Sequence, residues 1–164
     1  MLRVNCEAVL RLSHGLGRHM AARGRGQLVL FGSLVGFQGN AWTAQYSAIK
    51  AYVQSLAEGL AIEMRPHGVN VISVAPGPVA SGFADRARMT MTLSDRPETI
   101  ARGIVRRLGR SGTLRPGRVT KLLSTALATA PRGLRVRIMS AILSGMTQPQ
   151  ATLGQDALPV RHDG

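Results

Sequence analysis

The chain has 164 residues, 45% of them hydrophobic and 18% charged, which is enough for one ordinary domain with a core and is not the composition of a disordered chain. A lone cysteine, Cys6, excludes an intrachain disulfide and suits a reducing compartment, while His14, His19, His67 and His162 lack metal-ligand spacing, so no metal is expected. The net charge of +13 is uneven: residues 1 to 85 carry seven basic and four acidic side chains, and residues 86 to 164 carry fourteen and four.

Met1 to Asn5 has no apolar core of a signal peptide, and Arg11, His14 and Arg18 interrupt the next fifteen or so residues. Nowhere do about twenty uncharged apolar residues run together, so no spanning helix is expected and the default location is the cytoplasm. Val4, Val9, Leu10, Leu12, Leu16 and Met20 predict a helix over residues 2 to 22, weakened by Gly15 and Gly17 and broken by Gly24-Arg25-Gly26. Leu28-Val29-Leu30-Phe31 reads as a buried strand that delivers Gly32-Ser33 to its carboxyl end, where open α/β sheets bind ligands. Gly36 to Gly39 loosens the chain.

Tyr46, Ile49, Lys50, Val53, Leu56, Ala57, Leu60 and Met64 then recur at helical spacing until Pro66 and Gly68 stop them. A second strand over Val69 to Ala75 runs into the rigid turn Pro76-Gly77-Pro78-Val79 at the same sheet edge. Arg96-Pro97-Glu98 opens another helix that continues through Ile100, Ile104, Val105 and Leu108, and Thr113-Leu114-Arg115 forms a short last strand. From Val119 to Met146, Leu, Ile and Met alternate with Arg132, Arg135 and Arg137, with a break at Pro131-Arg132-Gly133. This basic stretch forms amphipathic helices that lie on an anionic membrane, cover a hydrophobic substrate pocket or present a solvated basic face. All aromatic residues precede residue 84, so the basic half has no platform for base stacking and nucleic acid is not expected as a partner. Residues 147 to 164 read as a disordered end.

The chemistry gathers at Tyr46 and Lys50, four residues apart and hence on one helix face. An ammonium near a phenol favours the phenolate and draws a group of ordinary pKa about 10 towards neutrality, as carbonyl and alcohol chemistry needs. Ser33 lies thirteen residues before Tyr46, and Asn5 twenty-eight before Ser33.

These spacings and the Pro-Gly turn resemble the short-chain dehydrogenase/reductase family, well over residues 2 to 110 and loosely beyond. The resemblance implies an α/β fold, here the C-terminal half of a Rossmann-type doubly wound parallel sheet with a helical C-terminal extension. The division is residues 1–118 for the partial Rossmann-type domain, 119–146 for the basic helical extension and 147–164 for the tail. It also implies a catalytic tetrad of Asn5, Ser33, Tyr46 and Lys50, with Asn5 anchoring a water that links the lysine to solvent. Tyr46, Lys50, Pro76, Gly77, Val79 and Ser81 would meet the nicotinamide end of NAD or NADP, and residues 84 to 95, with Met89 and Met91, would form a substrate lid. Further implications are a small carbonyl or alcohol substrate of lipophilic character and a homo-oligomer paired through two helices. Relative to that family the glycine-rich pyrophosphate turn is missing, since Gly15-Leu16-Gly17 and Gly24-Arg25-Gly26 follow no strand. The chain as written is therefore expected to bind cofactor poorly and turn over slowly. The other reading is a non-catalytic remnant acting as an interaction or membrane-surface module.

Overall fold

The run Val69-Asn70-Val71-Ile72-Ser73-Val74 is apolar on both faces, and such a strand is stable where helices cover it on both sides. In the computed structural model, which describes residues 1–82 and 94–146, it is the central strand β2 (Val69–Val74) of a three-stranded parallel sheet. Its neighbours are β1 (Gly26–Phe31) and β3 (Gly112–Leu114), with Leu28 opposite Val71, Phe31 opposite Val74 and Val74 opposite Leu114. The α/β class and parallel sheet are those expected. β1 starts two residues before its apolar run, and β3 ends one residue earlier than its composition suggests. Most of the expected lid, including Met89 and Met91, lies outside the described residues, as does the tail from residue 147.

Among the described residues five α-helices flank the sheet: α1 (Ala8–Ala22), entered through a π-helical turn at Arg3–Glu7, α2 (Ala44–Glu63), α3 (Pro97–Val105), α4 (Arg118–Ala128) and α5 (Arg132–Met146). On one sheet face Leu28, Leu30 and Val71 pack against Met20 of α1 and Ala57 and Leu60 of α2. On the other, Val29, Ile72, Val74 and Leu114 pack against Ile100 and Ile104 of α3. Val71, Ile72 and Val74 are wholly buried, and each contributes about 1.5–3 kcal/mol relative to exposure.

Gly17 does not break α1. It lies against the Met64 side chain, which a Cβ would meet at 3.3 Å. A polar clasp crosses the layers: Gln54 of α2 accepts from Ser73 Oγ and donates to Thr113 Oγ1 at 2.7 Å. α2 gives way to a 3-10 turn at Arg65–His67 containing Pro66, and Gly68 turns the chain back into β2 at φ 70°.

The last two helices form a third apolar cluster. Leu127 of α4 and Met139 and Leu143 of α5 are buried with Val35, and Tyr46 packs against them. Among the described residues no helix is long and apolar enough to cross a membrane.

Candidate active site

Parallel strands present their carboxyl ends together, and here β1 and β2 bring Ser33 and Pro76 to one edge. Ser33 is extended and caps a 3-10 turn at Leu34–Phe37, its Oγ accepting from the Val35 N–H at 3.4 Å. The same Oγ lies 3.5 Å from the Pro76 carbonyl, and the Leu34 N–H donates to that carbonyl at 2.9 Å. The stretch expected to be loose, Gly36 to Gly39, instead begins in this buried turn. Gly36 is there for closeness, since a Cβ would stand 2.8 Å from the Lys50 carbonyl carbon and oxygen.

That contact seats the serine turn on α2 beside Tyr46 and Lys50. Tyr46 and Ser33 share a side-chain hydrogen bond. The Lys50 ammonium sits 5.7 Å from the Tyr46 ring centroid and donates to the Phe31 carbonyl at 3.0 Å. Ser33, Tyr46 and Lys50 thus stand together at this edge.

Their acidities differ from the expectation. Burial pushes the Tyr46 phenol above its ordinary pKa, and the Ser33 hydrogen bond only partly opposes this. Burial likewise holds the Lys50 ammonium below its ordinary value, with an opposing Coulombic contribution from Cys6. The lysine does not draw the phenol towards neutrality here: burial is the larger effect, and the ammonium lies against the ring and donates to a backbone carbonyl.

Asn5 is carried by another element. It lies in the π-helical turn, and its Nδ2 donates to the Met1 carbonyl at 3.1 Å. Cys6, its neighbour, is close enough to influence Lys50 electrostatically, so this turn borders the site.

The turn after β2 is held from behind by residues that sequence reasoning missed. The Gly77 N–H donates to Thr120 Oγ1 at 2.7 Å, and a Cβ on Gly77 would come within 2.8 Å of that oxygen. Thr120 in turn donates to Asp95 Oδ2 at 3.4 Å, while Asp95 Oδ1 accepts from the Arg118 N–H at 3.2 Å and so caps α4. This arrangement requires glycine at 117, which has φ 94° and no room for a Cβ against the Asp95 carboxylate. The Asp95 backbone pairs with Pro78 and Ala80, which leaves the Val79 N–H and C=O without a partner among the described residues. Ser81 is exposed just beyond. Asp95 two residues before a proline reads locally as a cap for α3, and nothing adjacent in sequence announces a partner twenty-five residues away.

A cavity of about 380 Å³ opens between the serine turn and the last helices, lined by Leu34, Phe37, Gln38, Leu127, Arg115 and Arg135 among others. Leu127 joins it to the cluster that holds Tyr46.

The family model for short chain dehydrogenase matches residues 1–92. The short-chain reductase protein NovJ of Streptomyces niveus is 39% identical over 85 residues, which is 52% of this chain and 32% of that protein. The 3-oxoacyl-(acyl-carrier-protein) reductase FabG of Vibrio cholerae is 35% identical over 111 residues, 66% of this chain and 43% of its own length. The chain thus spans about a third to two fifths of the curated relatives it matches. A structure of a 7beta-hydroxysteroid dehydrogenase shares the fold at a TM-score of 0.74 and 23% identity, covering 85% of this chain and 56% of that one. A short-chain dehydrogenase from Sphingobium yanoikuyae, in complex with NADPH, matches at 0.68 and 26% identity, covering 92% and 57%.

Proposed function

Because the chain belongs to the short-chain dehydrogenase family, we propose that it carries the catalytic and nicotinamide-facing part of an NAD(P)-dependent oxidoreductase acting on a carbonyl or an alcohol. The observation that carries this reading is the assembly of Ser33, Tyr46 and Lys50 beside the Pro76 carbonyl. The residues fit the nicotinamide end of the cofactor: the Val79 N–H and C=O, without a partner among the described residues, can meet the carboxamide, with Ser81 two residues on and Pro76-Gly77 just before. Lys50 has three donors and spends one on Phe31, leaving two for ribose hydroxyls. The bound nicotinamide supplies or accepts the hydride.

Tyr46 is the proton donor to the substrate oxygen in reduction. Burial keeps it a neutral phenol, the form that can donate. Ser33 Oγ hydrogen-bonds the same oxygen and stabilises charge as it develops. Asn5 anchors water on the solvent side of Lys50, within the turn that borders it. The apolar wall of Leu34, Phe37 and Leu127 suits a lipophilic substrate, and relatives named as a hydroxysteroid dehydrogenase and as very-long-chain 3-oxoacyl-CoA reductases support that class.

No glycine-rich turn joins a strand to a following helix among the described residues, so nothing there receives the pyrophosphate of the dinucleotide. The chain alone should therefore bind NADPH no more tightly than reduced nicotinamide mononucleotide, and should turn over far below ordinary reductase rates. The outward side of α1 and α2, with Leu12 61% and Ile62 77% exposed, is the surface through which a homo-oligomer would pair.

Saturation-transfer NMR with reduced nicotinamide mononucleotide, followed by single-turnover reduction of a lipophilic ketone, tests the assignment. Tyr46→Phe should keep the binding signal and abolish ketone reduction. Equal reduction by the variant and the wild type would remove Tyr46 from the mechanism.

A further inference from the structure

On the sheet face opposite α2, six cations line one cavity of about 540 Å³: Arg102 of α3, Arg106, Arg107 and Arg110 in the turn after it, Arg115 after β3, and Lys121 of α4. α3 packs on the face that carries Ile72 and Val74, whereas Tyr46 and Lys50 belong to the helix on the other face. This cavity shares Arg115 with the one beside the serine turn, but none of Ser33, Tyr46 and Lys50 lines it.

Among the described residues none of these cations forms an ion pair, and Arg115 lies 4.5 Å from the Phe37 ring centroid. Among the described residues the only ion pair is Arg11 with Glu7. Arg102 Nε reaches the backbone carbonyl of Glu98 rather than its carboxylate. Arg106 caps the end of α3 four residues after Arg102, a helical spacing at which like charges repel. Arg107 Nε is buried with no hydrogen-bond partner, and such a donor is costly until an acceptor reaches it. A cluster of this kind is relieved by an anion with several acceptor oxygens, and planar guanidinium forks match phosphate.

We propose that this cavity binds a ligand carrying two or more adjacent phosphate groups, either a soluble polyphosphate compound or the headgroup of a phosphorylated lipid. One carboxylate would leave most of the charge unmatched. A cavity of this size lies in the range of small-molecule sites and exceeds what a single phosphate fills.

The test uses the full chain at constant ionic strength, titrated calorimetrically with inorganic pyrophosphate. In parallel, co-sedimentation is measured with phosphatidylcholine vesicles with and without a bisphosphorylated phosphoinositide. Arg106 and Arg110 are exposed, so the double variant Arg106→Ala/Arg110→Ala should keep its fold, checked by circular dichroism. It should weaken saturable binding about tenfold or more. Arg3→Ala/Arg18→Ala removes the same charge from the start of the chain and α1 and should leave binding unchanged. Pyrophosphate binding assigns the site to a soluble ligand, and binding confined to the phosphoinositide vesicles assigns it to a lipid headgroup. Absence of saturable binding to both probes, or equal loss in both variants, overturns the proposal.

Discussion

Replacing Thr120 by Val tests whether a single hydroxyl holds the turn at Gly77. Thr120 is 0% exposed, and its Oγ1 both accepts from the Gly77 N–H at 2.7 Å and reaches Asp95 Oδ2 at 3.4 Å. Valine keeps the shape and removes both bonds. Asp95 retains the Arg118 N–H on its other oxygen, so the main loss is the Gly77 N–H, left half-buried without an acceptor, at about 1–3 kcal/mol. The longer bond to Asp95 is near the limit of useful geometry and adds about 0.5 kcal/mol. The expected total is about 1.5–3.5 kcal/mol, or a fall in Tm of about 3–14 °C for a chain of this size. Urea unfolding followed by far-UV circular dichroism measures it, since the one tryptophan, Trp42, is 82% exposed and a poor reporter. Thr120→Ser should recover most of the loss. A Thr120→Val protein within about 0.5 kcal/mol of wild type would refute the reasoning, and a serine variant as unstable as the valine one would shift the cause to methyl packing.

The same contacts set other outcomes. Gly36→Ala should cost about 1–3 kcal/mol by overpacking the serine turn against the Lys50 backbone; an unchanged melting temperature would mean that turn and helix separate freely. The Tyr46 pKa is raised on folding, so its contribution to stability is complete below its ordinary value of about 10 and is lost as pH rises through the folded value. Lys50, lowered on folding, works in the opposite sense, its charged form disfavouring the fold until pH rises through its folded value. The stability difference between wild type and Tyr46→Phe should therefore shrink as pH is raised above about 10, and a difference constant with pH would exclude the burial of Tyr46 as its cause. Phe31, 52% exposed on β1, whose only partner among the described residues is β2, should promote association through the open edge. Phe31→Lys keeps the backbone carbonyl that Lys50 uses, and light scattering should record less self-association than in wild type.

The strands are readable in the sequence because a parallel strand covered on both faces is a short continuous apolar run, and Leu28 to Phe31 and Val69 to Val74 are such runs. Tyr46 and Lys50 are readable as a pair because a helix repeats its faces every three to four residues, and Ser33 because it closely follows a strand. The glycines after Ser33 read as slack, and Gly36 is not. Their local signal is the same whether glycine serves freedom or, as at Gly36, the close approach of a helix backbone. The direction of the Tyr46 shift is also illegible, because the distance from Tyr46 to Lys50 in sequence does not say where the ammonium ends up or how much of the phenol is covered.

Local pattern, then, determined the class of the fold, the helix that carries the phenol and the strand end that carries the serine, since periodicity and chain direction are set by neighbouring residues. Only the tertiary structure decided that Asp95 and Thr120 brace the Gly77 turn, that Leu127, Met139 and Leu143 close over Tyr46, and that six scattered cations share one cavity. Those contacts join residues that stand far apart in the chain, and their partners are chosen by how the layers pack rather than by anything adjacent in sequence.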